Sequence, residues 1–402
     1  MPINYFARDE MRRTSNLNLI QKKIALERGF SIIAYVIYLD HNATTPLLPE
    51  VFEEMKPYFT GRWGNPSSSY RFGSELRGVV EAARGQVAEL IGSQINEVVF
   101  TGNATEANNT AIHAALKANP QKRHIITSRV EHSSVLNYCL ALEKEGFRVT
   151  YLSVDRNGLL DLTAVASLMW VNNETGVLFP ILDIGRICRA RGVLFHCDAV
   201  QAVGKLPINV SKLPIDYLSL TGHKLGAPKG VGSLYVYRRA PLSPLLHGGH
   251  QERGRRGGTE NVALIAGLGK AAEIARDKVS DYERRLRPMR DALEEEILGD
   301  VPEAELNGHK AQRIANTTNI SFRGLDSDAL LMLLDQEGIC ASSGSACLAD
   351  SQEASHVITA MKPELRGERN SLRLSLGLEQ NPSSIQEAAR IIKATVIGLR
   401  SL

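Results

Sequence analysis

Short apolar runs alternate along this chain with stretches whose apolar residues recur at helical spacing, the pattern of strands joined by helices in an α/β sheet. Glu97–Thr101, His124–Glu131, Arg148–Val154, Ser167–Val171, Val193–Asp198 and Tyr217–Leu220 read as strands. Pro49–Thr60, Ser74–Leu90, the stretch from Gly102 to about Lys117 and Ile181–Ala190 read as helices. After Asp281 the pattern changes. A long charged helix, Asp281–Leu298, leads to strands at Thr317–Phe322 and Leu372–Leu376, mixed with helices at Asp326–Glu337 and Ser384–Leu399. The expectation is an α/β protein with a large, mostly parallel sheet domain and a smaller α+β domain.

Several of these strands stop at polar clusters, and in open α/β sheets ligands bind outside the carboxyl ends of the strands. The Tyr217 run ends in Thr221-Gly-His-Lys224, and the Val193 run ends in Asp198. Taken alone, Lys224 reads either as a solvent-loop lysine or as an amine whose pKa an apolar wall lowers for Schiff-base chemistry. A strand-end Asp beside a strand-end Lys is the pair a pyridoxal phosphate enzyme needs, the acid to keep the pyridine protonated and the amine to hold the aldehyde. Gly102-Asn-Ala104-Thr105 opens a helix, either as an ordinary cap or as an anion site. His132 suits ring stacking and proton exchange, or a helix cap. Arg373, inside an apolar strand, calls for a carboxylate, from an ion pair or from a ligand. Gln201 is a loop amide close behind Asp198. Cys347 sits in Ser342-Ser-Gly-Ser-Ala-Cys347, a run of small polar residues that cannot pack a core and leaves a thiol able to reach a ligand.

Together with Tyr38-Leu-Asp-His-Asn-Ala-Thr-Thr-Pro46 and Met169-Trp-Val-Asn-Asn-Glu-Thr-Gly176, these segments resemble the cysteine desulfurases of the NifS/IscS type, from about Tyr38 to the C-terminus. The resemblance implies the type I fold of pyridoxal phosphate enzymes. It implies conversion of L-cysteine to L-alanine, with sulfur held as a persulfide on Cys347 for iron–sulfur cluster assembly. Lys224, Cys347 and His132 would be catalytic. Ala104, Thr105, Asn173, Asp198, Gln201, Thr221 and His223 would hold pyridoxal 5′-phosphate, and Arg373 with Asn173 the substrate. The Gly-Arg-rich segment His247–Thr259 would reach into the neighbouring subunit of a homodimer, with Thr259 at its cofactor phosphate. An iron–sulfur scaffold protein would take the sulfur. No intrinsic metal site is implied, although Cys347 would ligate a cluster transiently. Gln251–Thr259 and Trp170 lean toward the nitrogen-fixation branch. Relative to the family, Leu348 and Ala354 replace an expected threonine and proline. A selenocysteine lyase or another class V aminotransferase-type enzyme is the alternative on this fold, and an inactive scaffold paralogue the alternative outside catalysis.

Composition narrows the setting. At 402 residues and 43% hydrophobic content the chain can bury a sizeable core. A net charge of +3 gives no strong pull toward nucleic acid or an anionic membrane. Five irregularly spaced cysteines suggest neither a disulfide framework nor a zinc site and fit a cytoplasmic protein. Residues 1–37 have no counterpart in the family and read as a disordered extension. Residues 53–279 are expected to form the cofactor domain, and 38–52 with 280–402 the small domain carrying the cysteine loop. One departure is the stretch Asp155–Ala166, where the family has a helix and this chain has barely room for a crossover. A locally weak sheet is expected there.

Overall fold

The computed structural model describes residues 36–160, 167–344 and 354–401. The chain enters through β1 (Ile37–Tyr38), then α1 (Pro49–Thr60), α2 (Leu76–Ile91), β2 (Val98–Thr101), α3 (Ala104–Ala118), β3 (His124–Ser128), α4 (Ser133–Lys144) and β4 (Arg148–Leu152). It continues through β5 (Ser167–Met169), α5 (Ile181–Ala190), β6 (His196–Asp198), β7 (Tyr217–Thr221) and β8 (Gly232–Val236). These strands form a five-stranded sheet, ordered β2-β8-β7-β6-β5, and a pair β3-β4. The β5-β6-β7 ladders are parallel, and β8 runs antiparallel to both its neighbours. Residues of β2, β5, β6, β7 and β8 are buried throughout, so both faces are covered, as parallel sheets require. The two strand ends that matter, Asp198 and Thr221, therefore leave a stiff, dry core.

Helix α6 (Val262–Asp281) packs across α1 and α2. Its close approach depends on glycine: a Cβ at Gly267 would meet Met55 Sδ at 2.6 Å, and one at Gly269 would meet Ala83 Cα at 2.6 Å. The long charged helix expected over Asp281–Leu298 is the tail of a longer element. Helix α6 passes through one π turn, Tyr282–Leu286, into α7 (Arg287–Asp300) without interruption. The last third adds β9 (Ala304–Leu306), β10 (Thr317–Phe322), α8 (Ser327–Gln336), β11 (Ile339–Cys340), α9 (His356–Met361), β12 (Ser371–Ser375) and α10 (Pro382–Arg400). Strands β12-β10-β9 form an antiparallel sheet, and β1 pairs with β11. A second apolar core, with Leu39, Leu293, Ile320, Phe322, Leu372 and Ile392, lies under this sheet, separate from the core around the larger one.

Candidate active site

A cavity of about 380 Å³ opens where the carboxyl ends of β6 and β7 meet the N-terminus of α3 and the chain after β1. Ala104, Thr105, His132, Asn173, Asp198, Gln201, Thr221, His223, Lys224 and Arg373 all line it. Thr259 does not, and Cys347 lies outside the described residues.

Asp198 is the last residue of β6 and is buried. Its Oδ1 accepts from Val200 N at 3.0 Å and its Oδ2 from Asn108 Nδ2 at 2.7 Å. No basic side chain pairs with it among the described residues. A buried carboxylate held open by neutral donors is built to take one more proton-bearing group. Lys224 closes a single 3₁₀ turn after β7, and its Nζ donates to the carbonyls of Asn42 and Ala43. His223 beside it has its pKa lowered to about 4, by burial first, then by Lys224, Lys229 and His132. It is neutral, so it can serve an anion only as a hydrogen-bond donor.

Helix α3 starts at Ala104 because Asn103 caps it, with Oδ1 accepting from Glu106 N at 2.9 Å. The ordinary cap is thus Asn103, and the first-turn N–H groups of Ala104 and Thr105 are left at the cavity that Thr221 and His223 also line. His132 combines a cap with a place on the cavity wall. It caps α4, with Nδ1 accepting from Ser134 N at 3.1 Å, and it lines the cavity. With Nδ1 accepting, the neutral ring carries its proton on Nε2.

Arg373 does have a carboxylate partner: one guanidinium nitrogen lies 2.7 Å from Asp40 Oδ1, and another donates to Asn173 O at 3.2 Å. Its Nε is buried without a partner. Its backbone bonds Ser342 in both directions, at 2.6 and 3.2 Å. Cys347 follows Ser342 by five residues, a reach of at most about 17 Å. Beyond the cysteine segment, Ser355 Oγ caps α9 and donates to Glu174 Oε2, and His356 Nε2 lies 2.9 Å from Glu131 O. The flanks of the segment are therefore bonded to Arg373, which lines the cavity, and to Glu174 and Glu131, the chain neighbours of the lining residues Asn173 and His132. The other thiols are poor nucleophiles. Burial pushes Cys139 and Cys188 up to about 12, and Cys197 and Cys340 upward as well.

Sequence reasoning missed Asn42, Asn108, Lys205 and Asp40. Their chemistry comes from contacts across the fold, such as Lys205 Nζ to Asn42 Oδ1 at 3.1 Å. The Gly-Arg-rich segment is a folded loop. Arg253 bonds Glu81, Arg255 bonds the carbonyls of Asn96 and Val98, and Arg256 bonds Glu106. Glu252 holds the buried Arg84 with both oxygens, at 2.6 and 2.8 Å. Among the described residues no cluster could hold a metal ion, and no helix is long and apolar enough to cross a membrane.

Comparison with known proteins gives a consistent result. The profile of the family Aminotransferase class-V matches residues 37–387. The chain is 49% identical to cysteine desulfurase 2 of Trichormus variabilis, over 91% of this chain and 94% of that one. It is 45% identical both to the desulfurase NifS of Azotobacter vinelandii, over 91% and 94%, and to the desulfurase IscS of Methanosarcina thermophila, over 91% and 93%. Of solved structures, a NifS-like protein superposes with a TM-score of 0.84 at 33% identity, covering 90% of this chain and all of the other. SspA in complex with cysteine superposes with a TM-score of 0.73 at 36% identity, over 84% and 98%.

Proposed function

The chain belongs to the class-V aminotransferase family, and from that membership we infer that it is a pyridoxal-phosphate-dependent cysteine desulfurase. It takes L-cysteine to L-alanine and retains the sulfur. The observation that carries this reading is the facing of Lys224 and the cation-free, buried Asp198 across one cavity with an N–H-rich helix start at its rim. These residues fit the cofactor. Asp198 would accept the pyridine N–H, and Ala104, Thr105, Thr221 and neutral His223 would hold the phosphate. When bound, pyridoxal phosphate supplies the aldehyde and an electron-withdrawing ring.

The chain supplies the rest. Lys224 would hold the aldehyde until the substrate amine takes its place and would then carry protons. His132, with its proton on Nε2, lines the cavity, where it would pack against the ring and exchange protons with the substrate. Arg373 takes the substrate carboxylate with Asn173, sharing its fork with Asp40. The Cys347 thiolate would attack the substrate sulfur; as the sulfur–sulfur bond forms, the carbon–sulfur bond breaks, its electron pair leaves with the substrate carbon, which takes up a proton to become the methyl of alanine, and a persulfide remains on Cys347. That persulfide is the supply for a scaffold protein in iron–sulfur cluster assembly. The protein works as a homodimer. The exposed aromatics Phe52, Phe59, Trp63, Tyr70 and Phe72, of which Trp63 and Phe72 meet edge to face, support this, and Thr259, which does not line its own cavity, would serve the partner's phosphate. Residues 53–279 form the cofactor domain, and 38–52 with 280–402 the small one. The enzyme is cytoplasmic.

The test is Cys347→Ser in the reconstituted protein. Cofactor absorbance and its change on adding cysteine should persist while sulfide release under reductant stops. Unchanged alanine production would replace the persulfide mechanism with a lyase.

A further inference from the structure

A second lysine is buried behind the first. Lys205 is 3% exposed, and its Nζ lies 2.6 Å from Gln201 Oε1 and 3.1 Å from Asn42 Oδ1. Gln201 Nε2 donates to Asn42 O at 2.9 Å, and that carbonyl also accepts from Lys224 Nζ. One line of hydrogen bonds thus runs from Lys205 through Gln201 and Asn42 to Lys224. Asn42 is braced from its other side, its Nδ2 donating to Thr317 Oγ1 at 2.9 Å and its backbone N to Ser375 Oγ at 2.9 Å.

A side-chain amide has oxygen at one end and two N–H donors at the other, and the partner of one end decides what the other end offers. Both partners of Lys205 Nζ, Gln201 Oε1 and Asn42 Oδ1, are oxygens, so at each contact the lysine donates. By taking Oε1, Lys205 turns the N–H end of Gln201 away from itself, toward Asn42 and the cavity. The two acceptors facing Lys205 match the two N–H bonds of a neutral amine. Burial favours that form, and Lys224 and Arg373 favour it further, holding Lys205 well below the usual lysine range. The other charged or titratable groups at the cavity are Asp198, His132, His223 and Lys229, with Asp40 on Arg373.

We propose that Lys205 is a positioning residue that locks the Gln201 amide with its N–H end toward the cavity, so that a bound pyridoxal phosphate meets a donor at its phenolic oxygen. The proposal rests on the cofactor assignment for this site. With Lys205 removed, the amide can rotate and set its own oxygen against that oxygen.

The test is a double-mutant cycle on apoprotein titrated with pyridoxal phosphate, read by visible absorbance and its pH midpoint. Lys205→Met should weaken binding about tenfold, the scale of one hydrogen bond to a charged group. It should also move the midpoint upward, because an N–H on the phenolic oxygen draws off charge that holds the linkage proton. In a Gln201→Leu background the same substitution should change neither quantity by more than about twofold or its pH equivalent, because Lys205 acts through Gln201. An equal loss in both backgrounds overturns the proposal, as does a lowered melting temperature with an unmoved midpoint. If Lys205→Met does not fold, Lys205→Gln takes its place, with a smaller upward shift expected and no shift counting against. Wild-type apoprotein that develops no visible band refutes the cofactor assignment and the proposal with it; the other outcomes overturn the proposal alone.

Discussion

Strands β6, β7 and β8 are buried at every position, whereas β4 alternates exposed and half-buried residues until Leu152. Asp198, Thr221 and Lys224 leave from the first group, and His132 follows β3 in the second. No ladder joins β5 to β3 among the described residues, although the two lie side by side. The junction is spanned by side chains instead: Asn172 Nδ2 donates to Val130 O at 3.1 Å. A cavity of about 110 Å³ opens at the other end of the same seam, between His124, Ile125, Ser167 and His196. The chain shows why. After β4, Asp155–Leu160 folds back in a tight turn, with Leu160 bridging Val154, and few residues remain before β5. A parallel crossover ordinarily takes a dozen residues or more and includes a helix. The half that would hold the cofactor is knit together by strand ladders, whereas the half that would handle protons joins it through side chains, by polar contacts and by an apolar core shared between Val130, Leu152 and Leu168.

That contrast predicts an order of effects. Asp198→Ala, in the stiff half, should cost on the order of a thousandfold in turnover by removing fixed electrostatic support for the ring. His132→Ala, across the seam, should cost roughly a hundredfold, the scale of one general acid–base group, with cofactor absorbance retained. Steady-state kinetics beside absorbance spectra check both, and a reversed order breaks the contrast.

Stability against pH should separate the halves as well. Glu131 is fully buried at the seam, and burial, with a smaller push from Asp198, raises it from 4.5 to about 8. A raised folded pKa means this stability is fully present below about pH 4.5 and is lost as pH rises toward 8, at up to about 1.4 kcal/mol per pH unit. His196 in β6 bridges Ser167 and Ser219 and is lowered by burial from 6.5 to about 4. Its contribution is present above pH 6.5 and is lost as pH falls toward 4. Glu131→Gln should flatten the upper limb of a denaturation-against-pH curve and leave the lower one. An unchanged upper limb removes Glu131 from the account.

The smallest effect is a repair. A family-like helix inserted after Asp161 should cover the half-buried Ile126 and its neighbours, raise stability by about 1–2 kcal/mol and slow cofactor loss. Calorimetry and dialysis against buffer check it. If neither changes, the short crossover is a tolerated variation.

The strand ends were legible because an apolar run that stops at a charged residue is a local signal, and Asp198 and Lys224 each carry it. Helix α6 was not, because Gly267 and Gly269 look like loop residues until Met55 and Ala83 are seen pressed against them. Helix α3 and His132 each offered two readings locally; the fold forms both caps and sets both at the cavity. Asn42 was invisible, since its neighbours Lys205, Thr317 and Ser375 lie far along the chain. The fold class was therefore carried by periodicity and the chemical groups by motifs, while the network that positions them needed tertiary structure.

The central claim is that Lys224 is the amine that holds pyridoxal phosphate. The direct measurement is borohydride reduction of the cofactor-loaded protein followed by peptide mass mapping. The account predicts a pyridoxyl mass on the peptide containing Lys224 in the wild type, and neither label nor visible band in Lys224→Ala. A label that persists in that variant, or that maps to Lys205 or Lys229 in the wild type, would contradict it.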